Sequence, residues 1–88
     1  MALPNNSSYP KWYAALIGMA ESFRTATPPD MRKCIHCLQA IFTFQPSPDI
    51  EARTHLQLGT ILLNHTKNLE KAILHLDKAV SIEFEYFI

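Results

Sequence analysis

Glycine is nearly absent from this sequence: Gly18 and Gly59 are its only two. A glycine-rich phosphate cradle, which needs several such residues to turn its N–H groups onto an anion, is excluded. Cysteine is as scarce. Cys34 and Cys37 flank His36 at a spacing that suggests zinc or redox chemistry. A structural zinc site wants four ligands, and no second cysteine pair exists. The two thiols are expected to pack as small apolar groups. Neither sign of charge is in excess, since 8 Lys and Arg balance 8 Asp and Glu. Such a chain lacks the broad field that holds nucleic acid or an acidic membrane. No run reaches the roughly 18 apolar residues of a membrane span. The opening MALPNNSSYPK has neither a basic start nor an apolar run, so no secretory signal is expected. Free thiols in a reducing compartment follow from that expectation. The glycosylation-like Asn6-Ser7-Ser8 and Asn64-His65-Thr66 then count as coincidence. No Ser-His-Asp set or paired-carboxylate pattern is visible, so no enzyme, cofactor or metal site is expected.

Helical periodicity is what the sequence does have. From Ala52 to Val80 it reads as two helices with a polar turn, Thr66-Lys67-Asn68, between them. His55, Leu58, Gly59 and Leu62 share one face of the first. Leu69, Ala72, Ile73, Leu76, Ala79 and Val80 share one face of the second. Gly59 lets a partner backbone approach, at a helix-propensity cost of roughly 1 kcal/mol relative to Ala. The same pattern occurs earlier. Leu16, Met19, Ala20 and Phe23 overlay His55, Leu58, Gly59 and Leu62, and Lys33–Ile41 overlays Ala72–Val80, both at an offset of 39 residues. An internal repeat of that length signals an α-solenoid or array.

Read in order, residues 1–8 are expected to be a loose tail. The first helix starts near Pro10, with Trp12, Tyr13, Leu16, Ile17, Ala20 and Phe23 on its apolar face, and ends at Thr25–Pro29. Asp30 is expected in the first turn of the second helix, which runs to about Phe42. Met31, Cys34, Ile35, Leu38, Ile41 and Phe42 line one face, with Cys37 and Ala40 beside it. Ser47 caps the third helix, Pro48 opens it, and it runs to about His65. Asn68 caps the fourth, which runs to about Ile82. The units are then about 9–42 and 48–82. The apolar EFEYFI has nothing after it to cover, so a fragment of a longer solenoid is expected.

The spacing fits the tetratricopeptide pattern, with Leu58-Gly59 and the Ala72, Leu76, Ala79 series in its places. HEAT-like pairing, whose period is about 40–47, is the alternative. The fold expected is all-α: two antiparallel hairpins of tetratricopeptide type, the start of an α-solenoid. Leu16, Ala20, Phe23, Cys37 and Ala40 would pack the first unit. Leu58, Gly59, Leu62, Ala72, Leu76 and Ala79 would pack the second.

PPDMRKCIHCLQAIFTFQPSPDIEARTHLQLGTILLNHTKN and YAALIGMAESFRT resemble the N-terminal region of the chromatid cohesion factor family, the small subunit of the cohesin loading complex. The resemblance covers about residues 9–80, and CIHCLQA and EARTHLQLG are its distinctive parts. EFEYFI departs from it. The resemblance implies a non-catalytic scaffold, a tetratricopeptide superhelix that wraps the extended N-terminal segment of the large loader subunit (Nipped-B type). It implies indirect contact with cohesin and chromatin, a nuclear location, and a role in sister-chromatid cohesion.

The inner groove of such an array is lined by the first helix of each unit. Ile17, Glu21, Leu56, Thr60 and Leu63 are the expected partner-binding residues. A chaperone adaptor that grips a carboxylate would want Lys and Asn there. Ile17 and Glu21 stand in those places instead. Trp12, Tyr13 and Phe23 are expected to cap the open end of the array. His55, His65 and His75 recur every ten residues and would share no face of one helix. His55 reads as a packing residue with one hydrogen bond.

Overall fold

A computed structural model describes residues 9–88, and the expected tail at residues 1–8 lies outside them. Within the described residues the chain is all-helical and has no strand. The elements are α1 (Lys11–Arg24), α2 (Met31–Ile41), a 3-10 turn (Phe42–Phe44), α3 (Pro48–His65) and α4 (Leu69–Phe87). α1 packs on α2 and α3 on α4, while α2 also meets α3.

Local chemistry sets the boundaries. Ser47 accepts a hydrogen bond from the Ile50 N–H, and Pro48 follows it at the helix start, where its missing N–H costs nothing. Asn68 accepts from the Lys71 N–H at 3.2 Å. Asp30 is not in the first turn of α2, as expected, but is its cap, accepting from the Lys33 N–H at 3.1 Å. A short side-chain oxygen one position earlier reaches the orphan N–H groups that first-turn acids only approach. α2 stops at Ile41, one residue short of expectation. The chain tightens there into the 3-10 turn and leaves it through Gln45 at φ 51°.

α4 runs on past Ile82 to Phe87. No Gly or Pro interrupts EFEYF, so nothing local stops it. Its buried seam is also narrower than expected. Ala72, Ala79 and Ile82 are buried, whereas Leu69, Ile73 and Val80 are each more than half exposed. One facing helix covers only the strip nearest it, and α3 is that helix. Met19 is exposed too, although it overlays the fully buried Leu58. α3 has α2 on one side and α4 on the other, while the main contact of α1 is α2.

The core forms from Tyr13 and Ala20 of α1, Cys34, Cys37, Leu38 and Ile41 of α2, and Ile50 and Leu58 of α3. Leu16 and Phe23 pack against it half-buried. The buried Thr54 hydroxyl donates to the Ile50 carbonyl at 2.7 Å, so its polar atom is satisfied. Gly59 fixes the α3–α4 approach. A Cβ built there would lie 2.7 Å from two Leu76 side-chain carbons and 3.1 Å from the Ala72 carbonyl oxygen. A Cβ at Gly18 would meet nothing within 4 Å.

The two glycines therefore respond in opposite ways to alanine. Gly18→Ala raises stability by about 0.5–1 kcal/mol through helix propensity. Gly59→Ala gains the same propensity but overpacks the seam, a cost of about 1–3 kcal/mol. Urea melts followed by circular dichroism at 222 nm should show the midpoint rising for Gly18→Ala and falling for Gly59→Ala.

Candidate functional site: a groove across α1, α3 and α4

A cavity of about 340 Å³ opens between α1 and α3. Its walls are Ile17 and Ala20 from α1 and Leu56 and Ile61 from α3. Its floor comes from α2, where Cys34 and Leu38 are buried. The spacing explains the convergence: Ile17, Ala20 and Arg24 lie along one side of α1, and Leu56, Thr60 and Leu63 along one side of α3. Glu21, Arg24, Gln57 and Thr60 supply the polar rim.

The rim is largely closed on itself. The Arg24 guanidinium pairs with the Glu21 carboxylate on the same helix. That hydrogen-bonded cation holds the exposed Glu21 carboxyl below the ordinary carboxylate range. The Thr60 hydroxyl donates to the Leu56 carbonyl at 2.8 Å. Below them the Cys34 thiol is pushed up by burial, so it stays protonated as a small apolar wall.

The cavity does not stand alone. Leu56 also lines a second cavity of about 260 Å³, with Ala52 and Arg53 of α3 and Val80 and Phe84 of α4. Ile17 and Glu21 also line a third, of about 380 Å³, beside Tyr9 and Tyr13. Three concavities thus share walls in series across α1, α3 and α4. Of the five residues expected to bind a partner, Ile17, Glu21, Leu56 and Thr60 line the central cavity. Leu63 lies outside it, exposed one turn beyond Thr60. Periodicity pointed to neither Gln57 nor Ile61. Both follow a named position directly, and the 100° step per residue still leaves them on the cavity side.

The other singled-out residues lie elsewhere. Trp12 stacks on Phe44 with ring centroids 4.7 Å apart, and Tyr13 sits 5.2 Å from Tyr9. Phe23 does not join that cluster. It is three turns away on α1, its ring 5.5 Å from the Lys33 ammonium. Cys34 and Cys37 are both free and buried. Among the described residues no group of three or more His, Cys, Asp or Glu side chains could hold a metal ion, and no helix is long and apolar enough to cross a membrane.

His55 and His75 meet, which rotation about a single helix could not reveal. They stand on facing helices, their Nδ1 atoms 2.8 Å apart, beside the ring of Phe42. One Nδ1 donates and the other accepts, so the contact requires at least one neutral ring. Burial first, then His75 and Lys78, pulls His55 down to about 4. Burial and Lys71 lower His75 as well.

The residues that line the central cavity all fall within a family match. The cohesin loading factor model matches residues 12–83. This chain belongs to the cohesin loading factor family. It is 59% identical over 70 residues to the MAU2 chromatid cohesion factor homologs of Drosophila erecta and Drosophila melanogaster. It is 56% identical over 70 residues to that of Drosophila virilis. Each match covers 80% of this chain and 11% of the relative. The chain thus spans about a tenth of the length of these family members. No solved structure matches the chain.

The histidine pair gives stability a defined pH dependence. In the unfolded chain both rings titrate near 6.5, and in the folded chain both titrate lower. Between about pH 6.5 and 4 the unfolded state binds more protons. Stability is therefore full above that window and falls as the solution is acidified through it. Urea midpoints measured from pH 7.5 to 4.5 should decline, and His55→Gln should flatten the decline.

Proposed function

We propose that this chain is a non-catalytic scaffold element of the cohesin loading complex. Its groove holds the extended N-terminal segment of the large loader subunit (Nipped-B type), and through that subunit it acts on cohesin and chromatin in the nucleus. The observation that carries the reading is the family match through residues 12–83, which takes in α2, α3, most of α1 and α4, and every residue lining the central cavity. The relatives are named chromatid cohesion factors, which supports a role in sister-chromatid cohesion.

In this reading α1–α2 and α3–α4 are two antiparallel hairpins of tetratricopeptide type that begin an α-solenoid. Leu16, Ala20, Phe23, Cys37 and Ala40 pack the first unit. Leu58, Gly59, Leu62, Ala72, Leu76 and Ala79 pack the second. The close approach at Gly59 and the burial of Ala20, Cys37, Leu58, Ala72 and Ala79 support that assignment. Ile17, Glu21, Leu56, Thr60 and Leu63 approach the partner. A concave, mainly apolar surface with few polar groups suits a peptide held by its side chains.

The test is binding of this 88-residue chain to a labelled peptide spanning the large subunit's N-terminal segment. Leu56 and Leu63 are about half exposed, so Leu56→Glu with Leu63→Glu should leave the fold intact. Fluorescence anisotropy should show affinity falling at least tenfold in the double variant, about 1.4 kcal/mol. Unchanged affinity in a double variant with a native circular dichroism spectrum overturns the reading.

A further inference from the structure

We propose that the central cavity between α1 and α3 takes one bulky, uncharged apolar side chain of an extended segment, and that the Gln57 amide fixes the backbone beside it. This deepens the scaffold reading and rests on it for the identity of the partner. The chemistry of the occupant follows from the cavity itself.

The occupant is uncharged because the two charged side chains of the rim, Arg24 and Glu21, are of opposite sign and pair with each other, leaving the rim with no net charge. Thr60 spends its proton on the Leu56 carbonyl. A charged side chain entering here would lose its water and meet Ile17, Ala20, Leu38 and Ile61 instead. The occupant is bulky because the concavity is wide, about 340 Å³, and a small side chain in it would touch few of the apolar wall atoms that a large one can reach.

It belongs to an extended chain because the cavity has neighbours on both sides. Leu56 is the wall shared with the α3–α4 cavity, and Ile17 and Glu21 are the wall shared with the cavity beside Tyr13. Alternate side chains of an extended segment share one face and can enter neighbouring cavities, whereas a compact ligand would fill one. A backbone crossing the rim must keep its N–H and C=O satisfied. Gln57 is the exposed rim residue whose side chain both donates and accepts, so one amide can meet both demands.

The probe is N-acetyl-tryptophanamide, which carries one bulky uncharged side chain between two backbone-like amides. It is titrated into the full 88-residue chain while the methyl NMR signals of Ile17, Leu56 and Ile61 are followed. The expected result is saturable shifts confined to those methyls, weakened about three- to tenfold by Gln57→Ala. N-acetyl-aspartate amide at the same concentration should leave them unmoved. Leu56→Glu, at an exposed wall position, should abolish the shifts with the helical spectrum retained. No saturable shift, an equal response to the aspartate probe, or binding indifferent to Gln57→Ala overturns the inference. The two readings fail separately. A large-subunit peptide that binds without moving these methyls removes the cavity assignment alone. Probe binding here with no affinity for that peptide removes the partner alone.

Discussion

The structure depends on how closely α3 and α4 approach at Gly59. Leu76 occupies the space in which any other residue would place its Cβ. That contact sets the interaxial distance along the seam, so Ala72 and Ala79 are buried above and below it. It also brings His55 within hydrogen-bond reach of His75. With α4 held this close, the opposite side of α3 is free to pack Leu58 and Ile50 against α2. Interiors at crystal-like density have no slack, so a methyl group at the seam is felt by both helices.

The groove is a by-product of that layering. α2 turns its buried face, Cys34 and Leu38, toward the gap that α1 and α3 leave between them. The wall residues are apolar and incompletely covered within the described chain: Leu56 is about half exposed, and Ile17 is only partly buried against the core. Their position over a closed floor gives concavity, and the internally paired rim gives low polarity. Together these define a concave, mainly apolar surface with a rim of no net charge. Family membership supplies the biological setting, while the geometry supplies what the surface can hold.

Much of the fold was legible because its signals are local. Ser47-Pro48 and Asn68 announce helix starts through side-chain oxygens and a missing N–H, and both lie where the sequence places them. The end of α4 was not legible, because the repeat comparison stopped at its template while no residue in EFEYF stops a helix. The width of the α4 stripe depends on how many neighbours cover it, which one helix's periodicity does not encode. The histidine pair is invisible for the same reason, since twenty residues and a turn separate its members. Four groove residues could be read from the helical step, whereas Gln57 could not. Its side chain is neutral and sits beside named positions, so its place on the rim emerges only once α1 and α3 are set facing each other.

Because Arg24 and Glu21 close on each other, no long-range attraction draws a ligand toward the opening. Under the proposed docking, encounter would proceed near the unassisted rate of about 10⁵–10⁶ M⁻¹s⁻¹ and depend little on ionic strength. If a segment docks there as proposed, selectivity would reside in its residence time rather than in its rate of arrival.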